Sequence, residues 1–126
     1  MAREQQQPYR TYLIDPFGRT LYVATRPREW RALRTHFDDC LPENPGVGRT
    51  DRIEHEPTDT FEIVVWLNRK HPDVRRDTMT VVAHEAAHAA KFLLDGIGET
   101  TRTHEVEPYL VGWIAGKLWD ALRDGH

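Results

Sequence analysis

Two histidines and a glutamate that could activate water stand together in Val81-Val82-Ala83-His84-Glu85-Ala86-Ala87-His88-Ala89-Ala90. On a helix, residues four apart lie about 40° apart around the axis and one turn along it, so His84 and His88 can reach one metal ion. The carboxylate of Glu85 would lie beside them, where it can hold and deprotonate a water molecule. This spacing therefore predicts a zinc site with His84 and His88 as ligands and Glu85 as the general base.

The surroundings of this motif favour a buried helix that needs a further ligand from elsewhere in the chain. Apart from the motif itself, positions 81 to 90 contain no charged residue, no glycine and no proline. A catalytic zinc ion takes three protein ligands and leaves one position for water. The candidates for the third ligand are His104, Glu105 and Glu107, which stand near the start of the next predicted helix.

Composition indicates one globular domain over residues 9–126, preceded by a polar, flexible tail over residues 1–8. The 126 residues are 39% hydrophobic and 29% charged, and the net charge of −3 gives no reason to expect nucleic acid as a partner. Cys40 is the only cysteine, which fits a reducing compartment. Because no signal peptide and no apolar span of membrane length are present, we expect a cytoplasmic protein without a membrane partner.

The first half of the chain predicts strands and one helix. Two β-rich runs, 9–14 and 20–24, flank the turn signal Asp15-Pro16-Phe17-Gly18 and predict an antiparallel hairpin. A helix is expected over 26–39 with Thr25 as its cap, followed by a loop over 41–50 that contains two prolines and two glycines. Strands are expected over 52–55 and 60–67, and the nearly continuous apolar character of the second indicates burial on both faces or packing on the motif helix.

The second half predicts two helices. The motif helix should run from Thr78 to Leu94, with Gly96 in a left-handed conformation after it. The last helix should run from Glu105 or Glu107 to Arg123. Together these elements predict an α+β fold, in which a small, mostly antiparallel sheet packs on the motif helix and the C-terminal helix.

The second half also resembles a known family. His84-Glu85-x-x-His88 followed by a glutamate on the next helix is similar to the gluzincin arrangement of zincin metallopeptidases. More narrowly, the segments 84–88 and 105–114 resemble small zincin-like proteins encoded by phages and prophages, which suggests a phage or prophage origin. The resemblance covers about residues 77–120 and implies a minimal zincin-like fold, a zinc cofactor, and an edge strand, either 60–67 or its neighbour, that holds an extended substrate.

The resemblance leaves two glutamates as the third ligand. Alignment on Tyr109-Leu110 favours Glu105, whereas the gluzincin spacing, with eighteen residues between the second histidine and the glutamate, gives Glu107 as the alternative. Pro108 has no N–H and its ring clashes with the carbonyl group four residues back, so regular helix should start no earlier than Glu105. Both glutamates are therefore expected in the first turn of that helix. His104 is expected as a partner of the ligands, and Tyr109 as a donor to the oxyanion of the reaction; His55 and His71 are further candidates for that donor.

Three functions follow from these patterns. The first is zinc-dependent hydrolysis of a peptide bond in a peptide or protein substrate, with Glu85 activating the water. The alternative is a zincin-fold protein that binds metal without peptidase activity and serves as a partner-binding module, either structural or regulatory, for a phage. The third is an arginine-rich interaction protein with a coincidental motif, suggested by 14 arginines against 3 lysines.

Overall fold

The fold is α+β, as the sequence predicts: a four-stranded mixed sheet and four helices. The computed structural model describes residues 8–15, 17–55, 58, 60–97 and 106–123. The elements are β1 (Arg10–Ile14), β2 (Arg19–Ala24), α1 (Pro27–His36), β3 (Gly48–His55), β4 (Thr60–Leu67), α2 (Pro72–Arg76), α3 (Thr78–Gly96) and α4 (Val106–Arg123). The tail predicted over 1–8 lies outside the described residues except for Pro8.

The sheet has the strand order β1-β2-β4-β3, which places β4 inside it and β3 at one edge. The β1–β2 and β3–β4 pairs are antiparallel, whereas β2 and β4 run parallel. The predicted hairpin is confirmed, and Gly18 supplies the positive φ of 69° that its turn requires. β2 and β4 run parallel because the connection between them contains α1 and β3 and brings the chain back in the same direction. The other two of the three strand pairs are antiparallel.

β4 is buried on both faces, which explains its almost continuous apolar sequence. One face, with Ile63, Val65 and Leu67, joins α3 and α4 in the larger core. The other face, with Val64 and Trp66, packs on α1 in a second core. The sheet is therefore the middle layer, and α3 and the hydrophobic stripe of α4 cover the side that bears the motif.

The predicted loop over 41–50 is wrong in its second part, because β3 begins at Gly48 rather than at Arg52. Residues 48 to 51 pair with Leu67 to Val64 of β4. Their sequence, Gly-Arg-Thr-Asp, has no apolar alternation, so the strand depends on hydrogen bonding to β4 and not on a local hydrophobic pattern. This four-residue difference matters for the site described below.

The bounds of two helices also differ from the predictions. α1 is shorter than expected: it begins at Pro27, and Arg26 rather than Thr25 is the capping residue, without a side-chain hydrogen bond. The backbone N–H of Thr25 instead donates to Oε1 of Glu29, at 2.9 Å. The helix stops at His36 because Asp38 and Asp39 adopt left-handed conformations, with φ of 53° and 61°.

The predicted left-handed glycine after α3 is wrong. Gly96 is the last residue of the helix, and its φ is not positive. A methyl group on Gly96 would lie 2.5 Å from Cζ of Phe61 in β4. Gly96 is therefore suited to its position by its small size, which lets the end of α3 approach the sheet. No helix in the described part of the chain is long and apolar enough to cross a membrane.

Candidate metal and catalytic site

The two motif histidines lie one turn apart on the exposed side of α3. Their Nε2 atoms are 3.1 Å apart. Their rings meet at 81° with centroids 4.6 Å apart, and the ring of His88 stacks against Phe92. The neighbouring positions on this side are Ala83 and Ala87, which are both exposed and small. Both imidazoles thus present the same nitrogen to one accessible point beside the helix.

The spacing of the two nitrogens fits a zinc ion. Zinc–nitrogen distances of about 2.0–2.1 Å in tetrahedral geometry place two ligand nitrogens about 3.3 Å apart. The Nε2–Nε2 distance of 3.1 Å is close to that value, although it is also the length of a hydrogen bond between the two imidazoles. Imidazole nitrogen is a preferred zinc ligand, and the donor set therefore suits this metal as well as the spacing does.

The side chain of Glu85 points towards the edge strand β3. Only 5% of the residue is exposed. Its Oε1 accepts a hydrogen bond of 2.6 Å from Oγ1 of Thr50. A buried carboxylate is costly unless it is hydrogen-bonded, so Thr50 both stabilises and orients this side chain.

Gly48 makes room for the same carboxylate. A methyl group at Gly48 would lie 2.8 Å from Oε2 of Glu85, which is closer than such contacts allow. Alternate residues of β3 face α3, and Arg52, the next after Thr50, donates from Nη1 to the carbonyl of Phe92 at 3.3 Å. Thr50 and Arg52 thus join the edge strand to the motif helix, and Gly48 leaves space for the carboxylate of Glu85.

Gly48 and Thr50 are functional candidates that the sequence alone did not identify. Both fell within the predicted loop, and neither has a residue type or spacing that indicates chemistry. Their roles depend on the register of β3 against β4, which pairs Gly48 with Leu67 and Thr50 with Val65. A correct prediction of that register would have placed both on the face of the sheet that meets α3.

The candidates for the third ligand lie at or before the start of α4. Glu105 and His104 fall outside the described residues. Glu107 is a partly buried residue in the first turn of α4. Over the described ranges, no group of three histidine, cysteine, aspartate or glutamate side chains is arranged to hold a metal ion. Those ranges include Glu107 but not Glu105 or His104.

The three candidates for an oxyanion donor occupy different places. Tyr109 lies on α4 and is 70% exposed. His71 caps α2 by accepting a hydrogen bond from the backbone N–H of Asp73 at Nδ1. His55 lies on the face of β3 opposite to Thr50, where its Nε2 is 2.6 Å from Oε2 of Glu62. The sheet therefore separates His55 from Glu85, whereas Tyr109 is on a helix that packs against α3.

Comparison with known proteins gives no relative for this chain: no family model matches it, and no curated protein or solved structure is significantly similar.

Proposed function

We propose that the chain is a zinc-dependent peptidase of the gluzincin type, in which His84 and His88 bind the metal. The observation that carries the proposal is the pair of Nε2 atoms, 3.1 Å apart on an accessible helix face. A buried glutamate on the same helix, held by a neighbouring strand, supports a catalytic role for the site. A site that served only to hold a metal would not require this acid.

When bound, zinc would act as a Lewis acid that lowers the pKa of water to about 7 and polarises a carbonyl group. The work of the chain is to position the other groups. Glu85 would accept the proton of the attacking water and deliver it to the leaving amine. Thr50 would hold one carboxylate oxygen of Glu85 while Gly48 leaves space for the other, so the base is positioned before substrate arrives.

The edge strand β3 is the proposed support for the substrate. Among the described strands it pairs only with β4, so its second edge has backbone groups that an extended peptide could join. Thr50, which contacts Glu85, belongs to this strand. A peptide bound along it would therefore lie near the general base.

Glu105 remains the favoured third ligand, with Glu107 as the alternative. Zinc occupancy of Glu105→Gln and Glu107→Gln variants distinguishes them, because only replacement of the true ligand should lower it. We also infer from the single cysteine that the protein works in a reducing compartment such as the cytoplasm.

Hydrolysis of a mixed peptide library by zinc-loaded protein tests the proposed reaction. We expect cleavage products with the wild-type chain and none with Glu85→Gln, although that variant should keep its zinc. Arg28→Ala, which changes an exposed residue of α1, serves as the control and should cleave as the wild type does. Zinc binding without cleavage by the wild type would contradict peptidase activity and favour the partner-binding alternative.

A further inference from the structure

A cationic cavity of about 390 Å³ lies where the turn after β4 and helix α2 meet the last turns of α4. Four of its lining side chains are positively charged: Arg69, Lys70, Arg75 and Arg123. None of the described residues that line it is acidic. The whole chain has a net charge of −3, so this concentration of positive charge is local. Because a cleft lined by charges of one sign focuses the field, anions should accumulate there.

Arg69 has a structural role in the fold. Its Nη2 donates to the carbonyl oxygens of Ala121 and Leu122, at 3.0 and 2.7 Å, and its Nε donates to Oγ1 of Thr25 at 3.1 Å. These bonds satisfy carbonyl groups at the end of α4 and join that end to the sheet. The side chain of Arg69 is therefore held in place where it lines the cavity.

The other three cations have no comparable structural role. Asp73, the acidic residue of α2, pairs with Arg76 at 2.8 Å. Within the described part of the chain, no ion pair involves Lys70 or Arg75, which are both exposed. Arg123 approaches Asp120 at 3.5 Å, but the two side chains are 66% and 46% exposed, and such surface pairs contribute little to stability. These three groups can therefore turn to an anion at little loss to the fold.

One wall of the same cavity is apolar. Trp119 is 40% exposed, an unusual position for so large a ring, and Val74 and Leu122 also line the cavity. An indole ring beside cations suits a ligand that combines a flat ring with a negative charge. The volume lies within the range of about 300–1,000 Å³ found for small-molecule sites.

We propose that this cavity binds a small organic anion, whose phosphate or carboxylate group pairs with Lys70, Arg75 and Arg123 while its ring stacks on Trp119. The proposed site shares no residue with the histidine motif or with β3, so it does not depend on the peptidase proposal. Phosphate and carboxylate ligands are distinguished by experiment.

Calorimetric titration at low salt tests the site with two ring-bearing anions, adenosine monophosphate for phosphate and hippurate for carboxylate. We expect at least one to bind with a stoichiometry of one per chain, and the stronger of the two identifies the anionic group. Lys70→Ala/Arg75→Ala should weaken that binding by about tenfold or more, the ratio that about 1.4 kcal/mol represents. Trp119→Ala should weaken it as well, and inorganic phosphate should bind less tightly than the ring-bearing anion.

A matched charge control separates a specific site from general attraction. Arg28→Ala/Lys91→Ala removes two exposed cations that lie outside the cavity and should leave the affinity unchanged. An equal loss in this control and in the cavity variant would overturn the proposal, as would the failure of both anions to bind. Tight binding of a single-stranded oligonucleotide without binding of either small anion would also overturn it, in favour of a nucleic-acid surface.

Discussion

Replacement of Thr50 by valine should destabilise the protein, because it removes the hydroxyl that holds a buried carboxylate. The hydrogen bond from Oγ1 to Oε1 of Glu85 is 2.6 Å long, and Glu85 is 5% exposed. Valine has almost the same shape as threonine, so the change is one of hydrogen bonding rather than packing. Thr50→Ser, which keeps the hydroxyl, is the natural control.

The size of the effect follows from the charge and burial of the acceptor. A hydrogen bond to a charged group contributes about 1.5–3 kcal/mol, and its removal leaves the carboxylate buried without that donor. We therefore expect Thr50→Val to lower the free energy of unfolding by about 2 kcal/mol, or the Tm by roughly 8 °C for a domain of this size. Thr50→Ser should lose less than half of that.

A double-mutant cycle with Glu85→Met measures the pair directly by urea unfolding at neutral pH. When both polar groups are replaced by apolar ones of similar shape, the loss should be small. The double variant should therefore be more stable than Thr50→Val alone. Strictly additive losses, or a Thr50→Val variant as stable as the wild type, would refute the conclusion that Thr50 holds Glu85.

Three further changes test other contacts. Gly48→Ala would place a methyl group 2.8 Å from the carboxylate of Glu85, the proposed general base, so kcat/KM on a cleaved peptide should fall by about 100-fold while zinc content stays the same. Gly96→Ala would place a methyl group 2.5 Å from Phe61 and should lower the free energy of unfolding in urea by about 1–3 kcal/mol. Its control, Gly112→Ala, has no neighbour within 4 Å and should be neutral or stabilising. Burial and a neighbouring glutamate raise the pKa of Tyr22. The unfolded chain therefore releases the phenolic proton of Tyr22 at a lower pH than the folded chain does, and the free energy of unfolding falls as pH rises above about 10. Tyr22→Phe should show a smaller fall between about pH 9 and about pH 11, and an equal fall would contradict this explanation.

The best-predicted elements are those whose pattern of apolar residues matches their burial in the fold. β4 has the predicted bounds, 60–67, because a strand covered on both faces requires a continuous apolar run. α3 begins at the predicted Thr78 and extends two residues further than expected, since its apolar residues recur at helical spacing. The local pattern and the tertiary environment agree in both cases.

The misses at β3 and Gly96 have a common cause, which is dependence on residues distant in sequence. β3 begins at Gly48 because of its pairing with β4, and the size of Gly96 matters because of the ring of Phe61. For the site, the spacing of the motif predicts that His84 and His88 lie together on one side of the helix, and their Nε2 atoms are 3.1 Å apart. The contacts of Glu85 with β3 could not be predicted, because they require the position of a strand 35 residues away.

Zinc stoichiometry is the most direct test of the central claim that the two motif histidines bind a metal ion. Chelator-treated protein would be titrated with zinc and its content measured after removal of free metal. We predict one tightly bound zinc per chain for the wild type and for the control His36→Ala, and none for His84→Ala/His88→Ala with its fold intact. A wild-type chain that retains no zinc, or a double variant that retains as much as the wild type, would contradict the account.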